Sequence, residues 1–538
     1  MRKGAKAAII TSVCVVMVGG AGYGAFSFVS AVSDTGTEVK TGPLSADEVK
    51  DASSTFFTAW EKGDATKAAD TTDDMSGAAA DLLTAYRTNA HLTKVRITPG
   101  TPKGTSVPFS VNATVSYRGD TEPLTYKSSL RVVRGKATGR PLVAWKPSVI
   151  HPDLRADDTL VTGEATSPPI EAVDRKGKVL DPKKYPSLAP VIATLRKRYG
   201  DKAGGEPGIE LQIRRGDRAA ADETLATLSP GTPGKLHTTL DADVQGAAEK
   251  AVRKYDESSV VALKPSSGEV LAVANHRKDQ FNAAFEGQLA PGSTMKIVTA
   301  AMLIDNGVTS MNGPAPCSDT AVWQGQTFHN LAGMTANESA TLSNSFLRSC
   351  NTAFIKLIDE KPLSDASLTT EAQDRFGLGH NNWSTGITSF DGSVPASGGP
   401  DRAANAIGQG KVQMSPLNMA SVTATAITGS FRQPYLVPRK LDDRKFASAK
   451  GLPASTASQL KQMMRLTATQ GTATQAMSGL SGDIGAKTGS AEVDGQAKSN
   501  SWFTGFRNDV AAAAMSQAGG HGGDAAGPIV ASVLRSAG

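Results

Sequence analysis

The chain has 538 residues, more than the roughly 250–300 at which a single hydrophobic core stops growing, so two to four domains are expected. With 20% charged and 39% hydrophobic residues it reads as globular, and its 54 glycines and 28 prolines predict many turns. The net charge of +6 is spread along the chain and aromatics make up only 5%, so neither a basic stripe nor a base-stacking platform is present and no nucleic-acid partner is expected.

Residues 7–32 carry no charge and follow Arg2, Lys3 and Lys6. This apolar run exceeds the roughly 20 residues needed to span a bilayer. Its basic flank predicts a cytoplasmic tip at residues 1–6, an uncleaved single-pass anchor at 7–32, and export of everything downstream. A cleaved signal peptide, cut near Ala31 to Ser33, is the competing reading, but such peptides have apolar regions of only about 7–15 residues.

A polar linker at 33–44 leads to Ser45 and Glu48, whose spacing is that of a capping box, with Val49, Ala52, Phe56 and Trp60 at helical intervals behind it. Strand-like runs follow at 107–117, 124–133 and 142–145, so residues 45–150 are expected to form an α+β domain. Residues 151–235 are rich in Pro, Gly and charge, with short apolar segments at 185–195 and 208–213, and read as a small pedestal domain. From residue 236 a helix is expected over 240–255. A hairpin of strands at 259–263 and 270–274 then turns through Pro265-Ser266-Ser267-Gly268 and opens the largest domain, 236–538. No internal repeat is evident, and the Ala-rich patches near 76–80 and 511–514 are too brief to define a class.

Three cysteines occur. Cys14 lies in the apolar run, which leaves Cys317 and Cys350 either as a pair in an oxidising compartment or as two buried thiols. No CxxC or Cys/His grouping is present, the seven histidines are scattered, and neither a metal nor another cofactor is expected.

The chemistry concentrates in the last domain. Gly292-Ser293-Thr294-Met295-Lys296 introduces the apolar run 297–304, which reads as a buried helix. A spacing of three puts the Lys296 amine on the face of the Ser293 hydroxyl, a nucleophile beside a base. A lysine works as a base only when its charged form is disfavoured, so a desolvated site or a neighbouring cation, with Lys487 as candidate, is expected. Backbone N–H groups at the helix start would face an oxyanion. Ser349-Cys350-Asn351, after a helix-like stretch at 341–347, offers a hydroxyl and an amide suited to proton relay and substrate contact. Lys487-Thr488-Gly489-Ser490 follows a loop at 479–485 and precedes a strand candidate at 501–506, together an edge hairpin on which Lys487 and Thr488 would hold a carboxylate and Gly489 would admit an extended peptide. The Ser490 N–H would complete the oxyanion hole.

Each motif is cheap alone: Ser458/Lys461, Ser110/Asn112 and Lys40-Thr41-Gly42 repeat the same spacings by chance. Order within one domain, the glycine before Ser293 with an apolar helix behind it, and the strand after Lys487 set the chosen trio apart. Trp502, Phe503 and Phe506 read as sheet core, and the glycines around His521 as a flexible turn that is not a phosphate loop.

The trio resembles that of penicillin-binding proteins and class A β-lactamases. The resemblance extends over residues 236–538, through Ala290-Pro291 before the nucleophile, Gly408-Gln409-Gly410, Ser415 to Ala420 and Gly471-Thr472-Ala473. Residues 45–150 look like the nuclear-transport-factor-like domain of one branch of class B penicillin-binding proteins, and 151–235 like a shortened dimerisation domain; no acidic motif set of a glycosyltransferase module precedes residue 236.

The resemblance implies an α+β multidomain protein with a serine β-lactamase/transpeptidase-like catalytic domain, an antiparallel sheet covered by helices. It implies Ser293 as acylated nucleophile, Lys296 as base, Ser349 and Asn351 as relay and substrate contacts, and Lys487, Thr488, Gly489 and Ser490 as the substrate-binding strand. The donor would be a peptidoglycan stem peptide ending in D-Ala-D-Ala, the acceptor an amine of a neighbouring strand, and β-lactams would acylate Ser293 as donor mimics. Cell-wall synthesis partners such as a glycosyltransferase are expected at the membrane, with the catalytic domain extracytoplasmic. Cys350 departs from the family's usual small or acidic residue and would pair with Cys317. The rivals are a β-lactamase, which the extra domains oppose, and an acylated sensor without turnover, which the lack of a cytoplasmic signalling domain opposes; a D,D-carboxypeptidase shares the same acyl-enzyme.

Overall fold

The computed structural model describes residues 40–217 and 220–537, so the expected anchor at 7–32 lies outside the described residues. Among those described, no helix is long and apolar enough to cross a membrane. The chain divides into two compact units, one taking most residues up to Arg155, the other running from Ala156 with two short upstream pieces, Asn89–His91 and Thr114–Leu124.

In the first unit, helix α1 (Ala46–Lys62) begins where Ser45 Oγ accepts from the Glu48 N–H and the Glu48 carboxylate accepts from the Ser45 N–H. Two orphan donors are thereby satisfied, and Gly63 ends the helix in the left-handed region at φ 78°. Its apolar face meets α3 and the sheet: Trp60 packs edge-on to Tyr86 at 5.5 Å between ring centroids, and Phe57 lies 4.8 Å from Phe109. After α2 (Ala65–Ala69) and α3 (Ala78–Thr88), strands β1 (Leu92–Pro99), β2 (Ser106–Tyr117), β3 (Asp120–Arg134) and β4 (Pro141–Val143) form one sheet in that order. β2 buries Val107, Phe109, Val111, Ala113 and Val115, the period of two that its sequence carries. β4 is shorter than its apolar run because the Trp145 N–H turns away to the Asp73 carboxylate at 2.7 Å.

The second unit opens with β5 (Thr159–Glu164), β6 (Ile170–Val173), α4 (Leu188–Ala203), β7 (Ile209–Arg214), β8 (Glu223–Ser229) and β9 (Gly234–His237). β5, β7 and β8 make an antiparallel sheet, while β6 and β9 pair in parallel. The short apolar segment near 185–195 becomes a 16-residue helix. Its basic and aromatic second half has partners that local sequence does not reveal: Arg196 pairs with Glu210 at 2.8 Å, and Tyr199 Oη donates to Asp442 at 2.9 Å.

Helix α5 (Ala242–Val252) starts two residues later than its pattern, because Asp241 caps it by accepting from the N–H groups of Asp243 and Val244. Strands β10 (Ser258–Leu263) and β11 (Val270–His276) then form the expected antiparallel hairpin. After α6 (Ala283–Glu286) and α7 (Lys296–Asp305) come the hairpin of β12 (Thr320–Trp323) and β13 (Gln326–His329), and helices α8 (Leu342–Leu347), α9 (Asn351–Leu357), α10 (Ser367–Phe376), α11 (Gly399–Ala406), α12 (Pro416–Thr428), α13 (Ala454–Gln470) and α14 (Thr474–Met477). The chain closes with β14 (Ile484–Ala491), β15 (Asn500–Arg507), β16 (Val510–Ser516) and α15 (Ala526–Ser536).

These strands build a five-stranded antiparallel sheet in the order β11-β10-β16-β15-β14, with β14 on an edge. Val260, Ala262, Phe503 and Ala512 face a core shared with α5 and α15, whereas Val261, Trp502, Phe506 and Ala513 face the core that holds α7 and α12. Helices on both faces explain why β16 is buried at every position, and burying each large apolar side chain there is worth about 1.5–3 kcal/mol. The alanines 511–514, too brief a patch to classify from sequence, are thus an interior strand beside β10.

Candidate active site

The turn that carries Ser293 is a 3₁₀ segment, Gly292–Met295, feeding directly into α7. Glycine geometry lets it lie backbone to backbone against its neighbours. Gly292 sits at φ +55°, and a Cβ there would stand 2.4 Å from the Ser490 carbonyl oxygen. A Cβ on Gly408, at φ +78°, would lie 1.9 Å from the Gly292 oxygen, and one on Gly489 would lie 2.8 Å from the Pro291 oxygen. Only glycine tolerates such approaches, and the Gly292 N–H uses one of them to donate to the Gly408 oxygen at 2.8 Å.

Lys296 Nζ lies 2.8 Å from Ser293 Oγ and donates to the Ser349 carbonyl at 2.9 Å and to Asn351 Oδ1 at 2.6 Å. The lysine is fully buried while Ser293 stays half open. Burial first, and the Lys487 ammonium second, hold the Lys296 amine well below the usual lysine range. Both causes anticipated from sequence therefore act, with desolvation the larger.

Ser349 adopts φ +62°, a left-handed conformation that a non-glycine residue occupies at a cost of about 1–3 kcal/mol. The conformation turns its carbonyl to Lys296 and its Oγ to Lys487, whose Nζ donates to it at 2.9 Å. Lys487 also donates to the Thr488 oxygen at 2.9 Å, and burial pushes its amine down to about 7. Its amine is turned inward to these partners, away from solvent; Thr488 beside it is also buried, and Ser490 further along β14 is only partly so. The strand begins at Ile484, inside the span expected as loop, and pairs Lys487 with Thr504 and Ser490 with Ser501 of β15.

Ser293, Lys296, Ser349, Asn351 and Lys487 are joined by one chain of hydrogen bonds, and Thr488, Gly489 and Ser490 continue along the same strand. Cys317 and Cys350 are joined by a disulfide, with Cα atoms 6.1 Å apart. Of the rival spacings, Lys461 is engaged by Asp483 at 2.8 Å and Lys40 by Glu48 at 2.8 Å.

Two further neighbours adjoin the cluster, Thr472 from a segment that carries the resemblance and His329 without a sequence signal of its own. Thr472 Oγ1 lies 2.6 Å from Thr488 Oγ1, and the His329 carbonyl accepts from Asn351 Nδ2 at 2.9 Å. The glycine loop around His521 is fastened, not free: Ser501 Oγ donates to the His521 oxygen at 2.7 Å, the His521 N–H donates to Asp524 at 2.8 Å, and His521 Nδ1 stands 3.4 Å from Ser490 Oγ. Close approach is the reason, since a Cβ on Gly522 would lie 2.8 Å from Gly489.

Residues 258–535 match the penicillin binding protein transpeptidase domain, and residues 48–158 match an NTF2-like N-terminal transpeptidase domain. The peptidoglycan D,D-transpeptidase PbpA of Mycobacterium tuberculosis is 28% identical over 298 residues, 47% of this chain and 59% of that protein. Penicillin-binding protein 3 of Bacillus subtilis is 24% identical over 369 residues, 59% of this chain and 51% of that protein. The chain thus spans between half and three fifths of the length of these relatives. In fold it resembles the D,D-transpeptidase domain of the peptidoglycan glycosyltransferase from Eggerthella lenta, with a TM-score of 0.52 at 20% identity, covering 69% of this chain and 98% of that one. More than half of the sequence lies within the matched catalytic domain, its trio is joined by hydrogen bonds, and the chain belongs to the penicillin-binding protein transpeptidase family.

Proposed function

We propose that this chain is a membrane-anchored peptidoglycan D,D-transpeptidase that acts through a Ser293 acyl-enzyme. The observation that carries the reading is the fully buried Lys296 amine 2.8 Å from Ser293 Oγ. A desolvated, neutral amine takes the Ser293 proton as Oγ attacks the carbonyl between the two terminal D-alanines of a stem peptide. The N–H groups of Ser293 and Ser490 stabilise the oxyanion, a reading that the close packing of Gly292 on the Ser490 backbone supports. Collapse breaks the peptide C–N bond, and the departing D-alanine amine takes a proton relayed through Ser349 Oγ beside Lys487. An acceptor amine then attacks the ester, forms the cross-link and frees Ser293. Thr488 and Ser490 receive the donor carboxylate, and β-lactams enter by the same route.

The uncharged run at 7–32 supports an anchor and an extracytoplasmic catalytic domain. The fold likeness to a transpeptidase domain of a peptidoglycan glycosyltransferase supports work beside a glycan polymerase. The test is to label the full chain in detergent with fluorescent penicillin and follow the adduct. Stable labelling, absent in Ser293→Ala and slowed on the order of 10²–10⁴-fold in Lys296→Ala, is expected. Rapid release of the label would make the protein a β-lactamase, and unlabelled wild type would end the acyl-enzyme reading.

A further inference from the structure

Helix α9 begins at Asn351, and Cys350 before it gives no side-chain cap. The first N–H groups of a helix have no partner within it. Here they are met from outside. Asn330, which follows β13, accepts at Oδ1 from the Asn351 N–H at 2.7 Å and from the Thr352 N–H at 3.1 Å. Its Nδ2 donates to the Ser318 oxygen at 2.8 Å and to Thr352 Oγ1 at 3.3 Å, so both ends of the carboxamide are committed and its orientation is fixed by the network. The preceding residue completes the grip, because the His329 carbonyl accepts from Asn351 Nδ2 at 2.9 Å. That leaves Asn351 Oδ1 aimed at Lys296 Nζ, 2.6 Å away.

We propose that Asn330 is a positioning residue of this site: as a cap supplied from a neighbouring loop, it holds the first turn of α9 where the Asn351 carboxamide meets the Lys296 base. The inference rests on the acyl-enzyme reading above. Without Asn330, two N–H groups lose their acceptor, the turn shifts, and Asn351 no longer orients the amine that deprotonates Ser293. A displacement of about 1 Å at a reacting group costs on the order of 10²-fold in rate. An ionised aspartate at 330 accepts hydrogen bonds only, so it keeps both bonds to α9 and gives up those to Ser318 and Thr352.

The experiment measures acylation of the full chain by fluorescent penicillin, separating non-covalent affinity from the acylation rate constant, for wild type, Asn330→Ala and Asn330→Asp. Asn330→Ala is expected to lower the rate constant on the order of 10²-fold with affinity unchanged, and Asn330→Asp to recover most of that loss. Should Asn330→Ala not fold, Asn330→Ser, whose shorter side chain does not span to both N–H groups, takes its place. A lowered melting temperature with an unchanged rate constant would overturn the proposal, as would an aspartate variant as slow as the alanine one. If wild type labels and both variants label equally fast, only this inference fails; if wild type does not label, the acyl-enzyme reading falls and this inference with it.

Discussion

Lys487 Nζ donates to Ser349 Oγ at 2.9 Å, with the lysine wholly buried. The same serine offers its carbonyl to Lys296, so two buried amines meet on one residue held at positive φ.

The two amines give acylation a pH profile with a definite sign. Lys296 lies well below the lysine range and must be neutral to act as base; Lys487, at about 7, must be charged to assist the relay through Ser349. The rate should rise as Lys296 loses its proton and fall as Lys487 loses its own, a bell with its alkaline limb near pH 7. Stability runs the other way on that limb. The unfolded chain holds the Lys487 proton more tightly, so this group's contribution to stability is least favourable at and below pH 7 and improves toward 10.5. Melting of wild type and Lys487→Met across this range should show wild type gaining on the variant as pH increases; a constant gap would refute it.

Gly408 supports the nucleophile turn from behind. Gly408→Ala places a methyl against the Gly292 oxygen and strains a positive φ, which should cost more than the roughly 1–3 kcal/mol of the strain alone and slow acylation on the order of 10²-fold. Gly479 is the control, at φ +75° with nothing within 4 Å of a Cβ. Gly479→Ala should lose only the roughly 1–3 kcal/mol of backbone strain, less than Gly408→Ala, and acylate at the wild-type rate.

The disulfide joins residues 33 apart in sequence. In the chain-entropy account, closing a loop of that length stabilises by about 3–4 kcal/mol. The double variant Cys317→Ser with Cys350→Ser should melt lower by that order in denaturant titration. Because Cys350 lies between Ser349 and Asn351, its acylation by fluorescent penicillin should slow as well. An unchanged midpoint would show that the packing of Cys317 and Cys350 in the core, not the bond, carries the stability.

The spacing of Ser293 and Lys296, the capping box of Ser45 and Glu48, the alternation of 107–117 and the β10–β11 hairpin were legible in the sequence because each is a local periodicity, written within a few residues of itself. The alanines of β16 were not. Alanine carries little strand preference, and only the helices on both faces of the sheet make small, buried residues the right filling there. The inward direction of Lys487, the left-handed Ser349, the fastening of the His521 loop by Gly522 on Gly489, and the cap that Asn330 lends to Asn351 belong to the tertiary structure alone. Each depends on contact between segments with no shared period, 330 with 351 or 408 with 292. The sequence named the candidate groups, and only packing decided which of them are dry, which are held, and by what.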